Sequence, residues 1–355
     1  MKWRRARSWS AIGVDVSARR LAAVQLARRG AGWRIASAAH MDRAEPSAAL
    51  SAAEVGVFAQ ILDRQGFAGR EVTLAVPCER LRSDLLELPA SAPDEALGQL
   101  ARMELARTHK CSPDSFEMAA WTLPSAARSA NVRPVMAAAC THADAEAVLE
   151  AWDGGGLRVT ALDIHAVAAA RAMAPIVGRD ATVTAILDLT WDAAHLAILL
   201  GDTVIYDRTL AESGLLHVHA ALTARLEIES DVADFAMFEV GFSDEMKDEW
   251  SGWPLLTDAR GILATHFTSM LDELRVSISY AQHRYPELPL SRVFLTGWGA
   301  SIPGLEDPLG SMLGVEARRM APADLFECGR EHAEALSNPS YTVAAGLAAF
   351  EGAAA

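Results

Sequence analysis

Two aspartates stand at the ends of apolar strands that fold straight back on themselves: Asp15 in "AIGVDVSARRLAAVQLARRGAGWRIASAAH" and Asp188 in "TVTAILDLTWDAAHLAILLGDTVIYDRTL". A hairpin tip carrying a carboxylate suits anion and metal chemistry, because turn amides can face phosphate oxygens while the carboxylate holds Mg²⁺ through water. An aspartate also caps its own turn, and a single hairpin of this kind implies no more than that. Here the order of strand, aspartate turn, strand, glycine turn and strand occurs twice, which points to a two-lobed nucleotide cleft. A third stretch, "FLTGWGASIPGL" from Phe294 to Leu305, runs an apolar strand into Gly297 and Gly299. Backbone without a Cβ lets a ligand come close, and Trp298 sets an indole in the middle of that approach.

Other chemistry finds little support. The sequence has no GxxxxGK[ST] loop, no GxGxxG after a strand, no HExxH and no GxSxG, so the common hydrolase and dinucleotide signatures are missing. His217 and His219, two apart, face opposite sides of a helix and read as ordinary histidines. Cys78, Cys111, Cys140 and Cys328 form no CxxC pair and read as reduced thiols. A formal net charge of -14 argues against nucleic acid as a partner, since phosphate neutralisation needs a basic surface. No apolar run reaches the roughly 18 to 20 residues that span a bilayer, and "MKWRRARSWS" lacks a signal-type apolar stretch; a cytoplasmic protein is expected. Lys2, Arg4, Arg5 and Arg7, with Trp3 and Trp9, could touch an anionic leaflet, although a frayed terminus explains them as well.

The elements that must position the hairpins follow from periodicity. Leu263, Phe267, Met270, Leu274, Ile278 and Ala281 recur at three- and four-residue steps and predict a long helix with one buried stripe. Pro93, Asp94 and Glu95 open another helix with residues suited to its N-terminus, and Leu97, Leu100, Ala101 and Leu105 are expected as its buried face. The run "DGGGL" from Asp153 reads as a flexible connection.

With these motifs in order, the chain resembles the actin, Hsp70 and FtsA superfamily, the two hairpins standing for its phosphate motifs and "FLTGWGASIPGL" for its adenosine motif. "VTALDIHAVAAARA" with Asp163 and "NPSYTVAAGLAAF" with Gly346 resemble its two connecting helices. Within the superfamily the chain is similar to the PilM family of type IV pilus assembly over nearly its whole length, through "VTLAVPCERLRSDLLELPA", "DEALGQLARMELARTHKCSPDSF" and "LDELRVSISYAQHRYPELPLSRVFLTG". The resemblance implies an α/β, actin-like (ribonuclease H-like, duplicated) two-lobed fold with an SHS2-type insert subdomain. Its expected divisions are lobe 1 at 10–72 and 156–182, an insert at 73–155, lobe 2 at 183–210 and 290–338, a helical subdomain at 211–289, and a return helix at 339–352.

Family phosphate loops usually read Gly-x-Asp-x-Gly-Ser-Ser-x-x-Lys. This chain keeps Gly13 and Asp15 but has Ser17 in place of the next glycine, with Ala18, Arg19 and Ala22 at the following motif positions. Asp188 is followed by Leu189, Thr190 and Trp191 where relatives begin Asp-x-Gly. If ATP binds, the resemblance places it against Gly13, Asp15, Ser17, Asp188, Thr190, Gly297, Trp298 and Gly299, with Mg²⁺ held through water by Asp15 and Asp188. Ser17, Thr190 and Trp298 all add side-chain atoms to that cleft, so weak or absent nucleotide binding is expected, with at most slow ATPase activity. Stacking of adenine on the indole, with phosphate on Arg19 or Arg20, stays open.

Three functions follow from the resemblance. One is a cytoplasmic scaffold at the inner face of the inner membrane that binds the N-terminal tail of a PilN-like inner-membrane protein, in a groove between lobe 1 and the insert, together with other pilus assembly components. The second is an ATP-regulated switch. The third is a GspL-like component of type II secretion.

Overall fold

The computed structural model describes residues 9–30, 32–44, 49–124, 131–178, 182–243, 254–286 and 288–351; Lys2, Trp3, Arg4, Arg5 and Arg7 lie outside this set. Two sheets share one topology. In the first, β1 (Ile12–Val16), β2 (Arg20–Arg29) and β3 (Gly32–Asp42) form an antiparallel meander, and β1 then pairs in parallel with β4 (Glu71–Ala75), which pairs with β8 (Arg158–Asp163). In the second, β9 (Val183–Leu189), β10 (Ala194–Leu200) and β11 (Thr203–Leu210) repeat the meander, and β9 pairs in parallel with β12 (Leu290–Thr296), followed by β13 (Glu316–Arg319). This is the duplicated actin-like arrangement expected from the two aspartate hairpins.

Strands buried on both faces read as continuous apolar runs, and period 2 assigns their residues to sides. Leu21 and Ala23 of β2 join Phe58 and Leu62 of α1 (Ala52–Arg64) and Trp152 of α3 (His142–Gly154). Ala22, Val24 and Leu26 join Ala344, Ala345 and Ala348 of α11 (Thr342–Ala348) on the other side. In lobe 2, Ala185, Leu187 and Leu189 meet the buried stripe of α7 (Pro254–Arg284) and Val218 of α5 (Leu215–Leu226), while Ile186 packs with Ala168 and Met173 of α4 (His165–Val177). All six residues of the expected α7 stripe are buried.

Helices α4 and α11 cross between the sheets at Gly346, where a Cβ would lie 1.9 Å from the Ala168 carbonyl oxygen. Arg171 ties the crossing by donating to Asp163 Oδ2 at 2.7 Å and to the Gly346 carbonyl at 2.9 Å. Gly13 serves the same purpose in β1, since a Cβ there would lie 2.1 Å from the Ala344 carbonyl oxygen.

The insert is smaller than the sequence suggests. Its own sheet, β5 (Arg82–Pro89), β7 (Val132–Thr141) and β6 (Phe116–Thr122), is covered by α2 (Asp94–His109). Strand β4, expected within the insert at 73–155, belongs instead to the lobe 1 sheet, and α3 packs on α1. Both carry apolar patterns that sequence alone does not assign to one sheet or another. "DGGG" is the end of α3 and no loose connection: a Cβ on Gly155 would lie 2.3 Å from Val55 Cγ1. On α2, Ala101 and Leu105 are buried, but Leu100 is exposed. After α8 (Glu306–Leu313), α9 (Pro322–Leu325) leads to β14 (Glu327–Cys328), which pairs with β3 at the edge of lobe 1 although 290–338 was expected in lobe 2; α10 (Ala333–Leu336) follows.

Candidate functional site at the interlobe cleft

The register of the two hairpins places their aspartates at equivalent positions: Asp15 lies across from Ala22, and Asp188 across from His195. Asp188 is buried and accepts from Thr296 Oγ1 at 2.6 Å, with His165 Nε2 at 3.2 Å from its other oxygen. Burial raises its pKa, but His165, His195 and Thr296 outweigh that and hold it below the usual carboxylate value. Burial also works against charge on His165, yet Asp188, Asp15 and Asp192 hold its pKa above the ordinary histidine value. Asp15 keeps partial solvent access at its surface, but its carboxyl is enclosed deeply enough that desolvation, with Asp188 and Asp192 nearby, pushes its pKa up to about 7 against the pull of His165. The floor of the cleft is therefore a coupled acid–imidazole cluster, and the side chains that complete it come from β10 and the start of α4.

Beside it, Cys78 Sγ lies 3.5 Å from His195 Nδ1, a spacing reminiscent of a thiol and its base. Desolvation pushes the thiol up to about 11 and, with the charge of His165, pushes the imidazole down to about 3. The proton stays on sulfur across the neutral range, so the pair is not an activated nucleophile. Among the described residues no group of His, Cys, Asp and Glu is arranged to hold a metal ion.

The turn amides that could cradle phosphate are engaged internally. In the first hairpin Ser17 N donates to the Arg20 carbonyl at 2.9 Å, Arg20 N to Ser17 Oγ at 3.1 Å, and Ala18 N to Asp192 Oδ1 of lobe 2 at 3.4 Å. In the second, Thr190 N donates to the Ala193 carbonyl at 2.9 Å and Ala193 N returns to Thr190 Oγ1 at 3.2 Å. Ser17 and Thr190 thus close their own turns. The third loop packs against lobe 2 itself. Gly297, at φ +78°, would place a Cβ 2.6 Å from the Leu189 carbonyl oxygen, and Gly299 would place one 2.7 Å from Leu189 Cβ. These glycines are required by the close approach of the loop to β9, whatever else they do.

Trp298 fills the space above. It stacks on Phe238 with ring centroids 4.8 Å apart and planes 10° from parallel, and tilts toward buried Trp191 at 5.8 Å. The Arg19 guanidinium lies 4.3 Å from the Trp191 ring centroid and 4.9 Å from that of Trp298, while Arg20 approaches Trp298 at 4.8 Å. Arg19 then forks onto Asp234 of α6 (Ser230–Phe235), with nitrogen–oxygen distances of 2.5 and 3.0 Å. Of the residues singled out from sequence, Ser17, Asp188, Thr190 and Trp298 lie among these contacts, whereas Gly13 packs against α11. His165, His195, Asp192, Asp234 and Phe238 were not legible in advance. His195 alone had a usable signal, since it faces the Asp188 position across a hairpin.

Comparison with known proteins gives the family. A model described as "Type IV pilus assembly protein PilM" matches residues 13–351. A search of curated proteins found no match. Among solved structures, the chain is similar to one titled "PilM-PilN type IV pilus biogenesis complex", with TM-score 0.76 and 21% identity over 96% of this chain and 97% of that one. It also resembles the ethanolamine utilization protein EutJ from Carboxydothermus hydrogenoformans (TM-score 0.53, 14% identity, 98% and 91% covered). A third likeness is to MreB 5 of Spiroplasma citri bound to AMPPNP (TM-score 0.53, 12% identity, 96% and 95% covered). At these identities the structures speak for the fold, while the family match spans nearly the entire sequence: the chain belongs to the PilM family of type IV pilus assembly proteins.

Proposed function

We propose that this protein is a pilus-assembly scaffold that works at the cytoplasmic face of the inner membrane by holding the N-terminal tail of a PilN-like single-pass membrane protein, with a cleft that no longer uses ATP. The observation that carries the reading is the family match over residues 13–351. No described helix is long and apolar enough to cross a membrane, so attachment through a partner's tail suits the chain. A cytoplasmic tail preceding a membrane helix tends to be basic, and the net charge of -14 attracts it. The groove proposed for it lies between lobe 1 and the insert, and the insert's helix α2 offers Leu100, 37% exposed, and Met103, 55% exposed, as apolar surface for such a tail. The cleft supports the second half of the reading. Both phosphate turns spend amides on their own serine and threonine, and Mg²⁺ would have to share Asp188 with Thr296 and His165. Should nucleotide enter, Asp15 and Asp188 are the carboxylates that could hold its Mg²⁺ through water.

The test is a titration of the full chain with the tail peptide of the membrane protein encoded beside it. Binding is expected at micromolar peptide, and Leu100→Asp or Met103→Asp should each weaken it about tenfold, the effect of losing roughly 1.4 kcal/mol of apolar contact, with unchanged melting. Absence of binding at high micromolar peptide would count against the scaffold; undiminished binding by both variants would move the interface off α2.

A further inference from the structure

Trp191, Trp298 and Phe238 stand around a corner whose far wall is the Asp234 carboxylate, and the side chain filling that corner, Arg19, comes from the opposite lobe. We propose that the cleft is rebuilt as a guanidinium site, an aromatic and carboxylate cage that holds Arg19 in cis and latches the first hairpin of lobe 1 to α6 of lobe 2 without nucleotide. The inference rests on the reading that ATP no longer occupies this cleft.

Two features select a guanidinium over other cations, and a third strengthens the pair. Arg19 meets Asp234 through two nitrogens, at 2.5 and 3.0 Å, and only a planar fork makes both contacts together. Its carbon centre lies within 5 Å of two indole centroids, 4.3 and 4.9 Å away, which suits a flat, weakly hydrated cation that stacks. The site is sheltered, with the Arg19 side chain 23% and Asp234 27% exposed and Trp191 only 4%, so solvent screens the pair less than it does a surface ion pair. The walls of the cage are also braced by contacts other than those to Arg19. Trp298 is held from behind by Phe238, and His219 stands 3.6 Å from Asp234 and 5.1 Å from the Trp191 ring. The Arg19 carbonyl is in turn fixed by the Arg43 amide at 2.9 Å, which aims the hairpin tip across the cleft.

The test removes the occupant and replaces it in trans. In Arg19→Ala, the indole N–H resonances of Trp191 and Trp298 should shift and the melting midpoint should fall by several degrees, and Asp234→Asn should do the same. Arg19→Lys should recover little of either. Low-millimolar ethylguanidinium added to Arg19→Ala should return both indole resonances toward their wild-type positions and raise the midpoint, while ethylammonium at the same concentration should not. Indole resonances and melting unchanged in both Arg19→Ala and Asp234→Asn would overturn the latch, and equal effects of the two small cations would overturn a guanidinium cage. Micromolar binding of ATP with Mg²⁺ by Arg19→Ala is a separate outcome: it would make the cleft a plugged nucleotide pocket, sinking the cage and the nucleotide-free reading together.

Discussion

The carboxyl of Asp15 keeps its proton to about pH 7 because the cleft floor strips it of water and sets Asp188 and Asp192 near it, against the opposing pull of His165 and the Val16 amide. A carboxyl whose pKa is raised by folding opposes the fold once pH passes its unfolded value. The native state then holds a proton that the unfolded chain has released, so stability falls from about pH 3.8 to about 7 and levels above. Asp15→Asn keeps the shape and removes the titration. It should therefore be nearly neutral at pH 4 and stabilising at pH 8, by about 2–4 kcal/mol at 1.36 kcal/mol per unit, discounted for partial solvent access and for the support Asp15 lends to His165. Urea midpoints at pH 4, 6 and 8 read this directly, and a gain that does not change with pH would refute the assignment. Asp15 and Asp188 could be picked from sequence because each ends an apolar strand in a repeated hairpin. Arg19 was legible only as a departure from a phosphate loop. Its partner Asp234 lies 215 residues away on a short helix with no periodicity to mark it, and local pattern carries no information about such a pair.

At the scale of elements, the strands and long helices were readable from period 2 and period 3.6 burial, whereas the membership of β4, α3 and β14 in sheets and lobes was not. Strand β4 is apolar enough for either sheet, and what assigns it is parallel pairing with β1 and β8, a long-range choice. Gly346 is a case where the element gives a sign opposite to propensity. Glycine within a helix normally yields about 1 kcal/mol of stability on replacement by alanine. In α11 that alanine Cβ would fall 1.9 Å from the Ala168 carbonyl oxygen, and main chain cannot swing away as a side chain can. Forcing α4 and α11 apart costs about 1–3 kcal/mol or more and exceeds the gain. Gly346→Ala should therefore lower the melting midpoint; a rise would mean that the crossing has slack and that Gly346 is not what sets the helix separation.

Over the whole molecule, the two lobes are tied at places that a nucleotide switch leaves free to move. At the cleft the Arg19–Asp234 pair and the Ala18 amide bridge the hairpins to lobe 2. At the insert, Trp121 Nε1 donates to the Val204 carbonyl at 2.8 Å, Tyr285 Oη donates to the Pro124 carbonyl at 2.9 Å, and Leu123 and Met136 sit in the lobe 2 core. The insert therefore braces lobe 2 while it belongs by connection to lobe 1, so the first lobe and its insert hold lobe 2 through two separate sets of contacts. A ligand shifts an equilibrium between two states only by its differential affinity for them. For ATP, the turn amides already bonded to Ser17 and Thr190 would add little to that affinity. Magnitude makes the expectation testable: a site with a dissociation constant of about 10 μM would stabilise the native state by about 2.7 kcal/mol at roughly 1 mM ATP, which moves the midpoint of a chain this size by several degrees. No such shift is expected here, and the radius of gyration from solution scattering should be the same with and without ATP and Mg²⁺. Clear stabilisation together with a change in radius would mean that the lobes do answer to nucleotide, and that the contacts bracing them are one state of a switch.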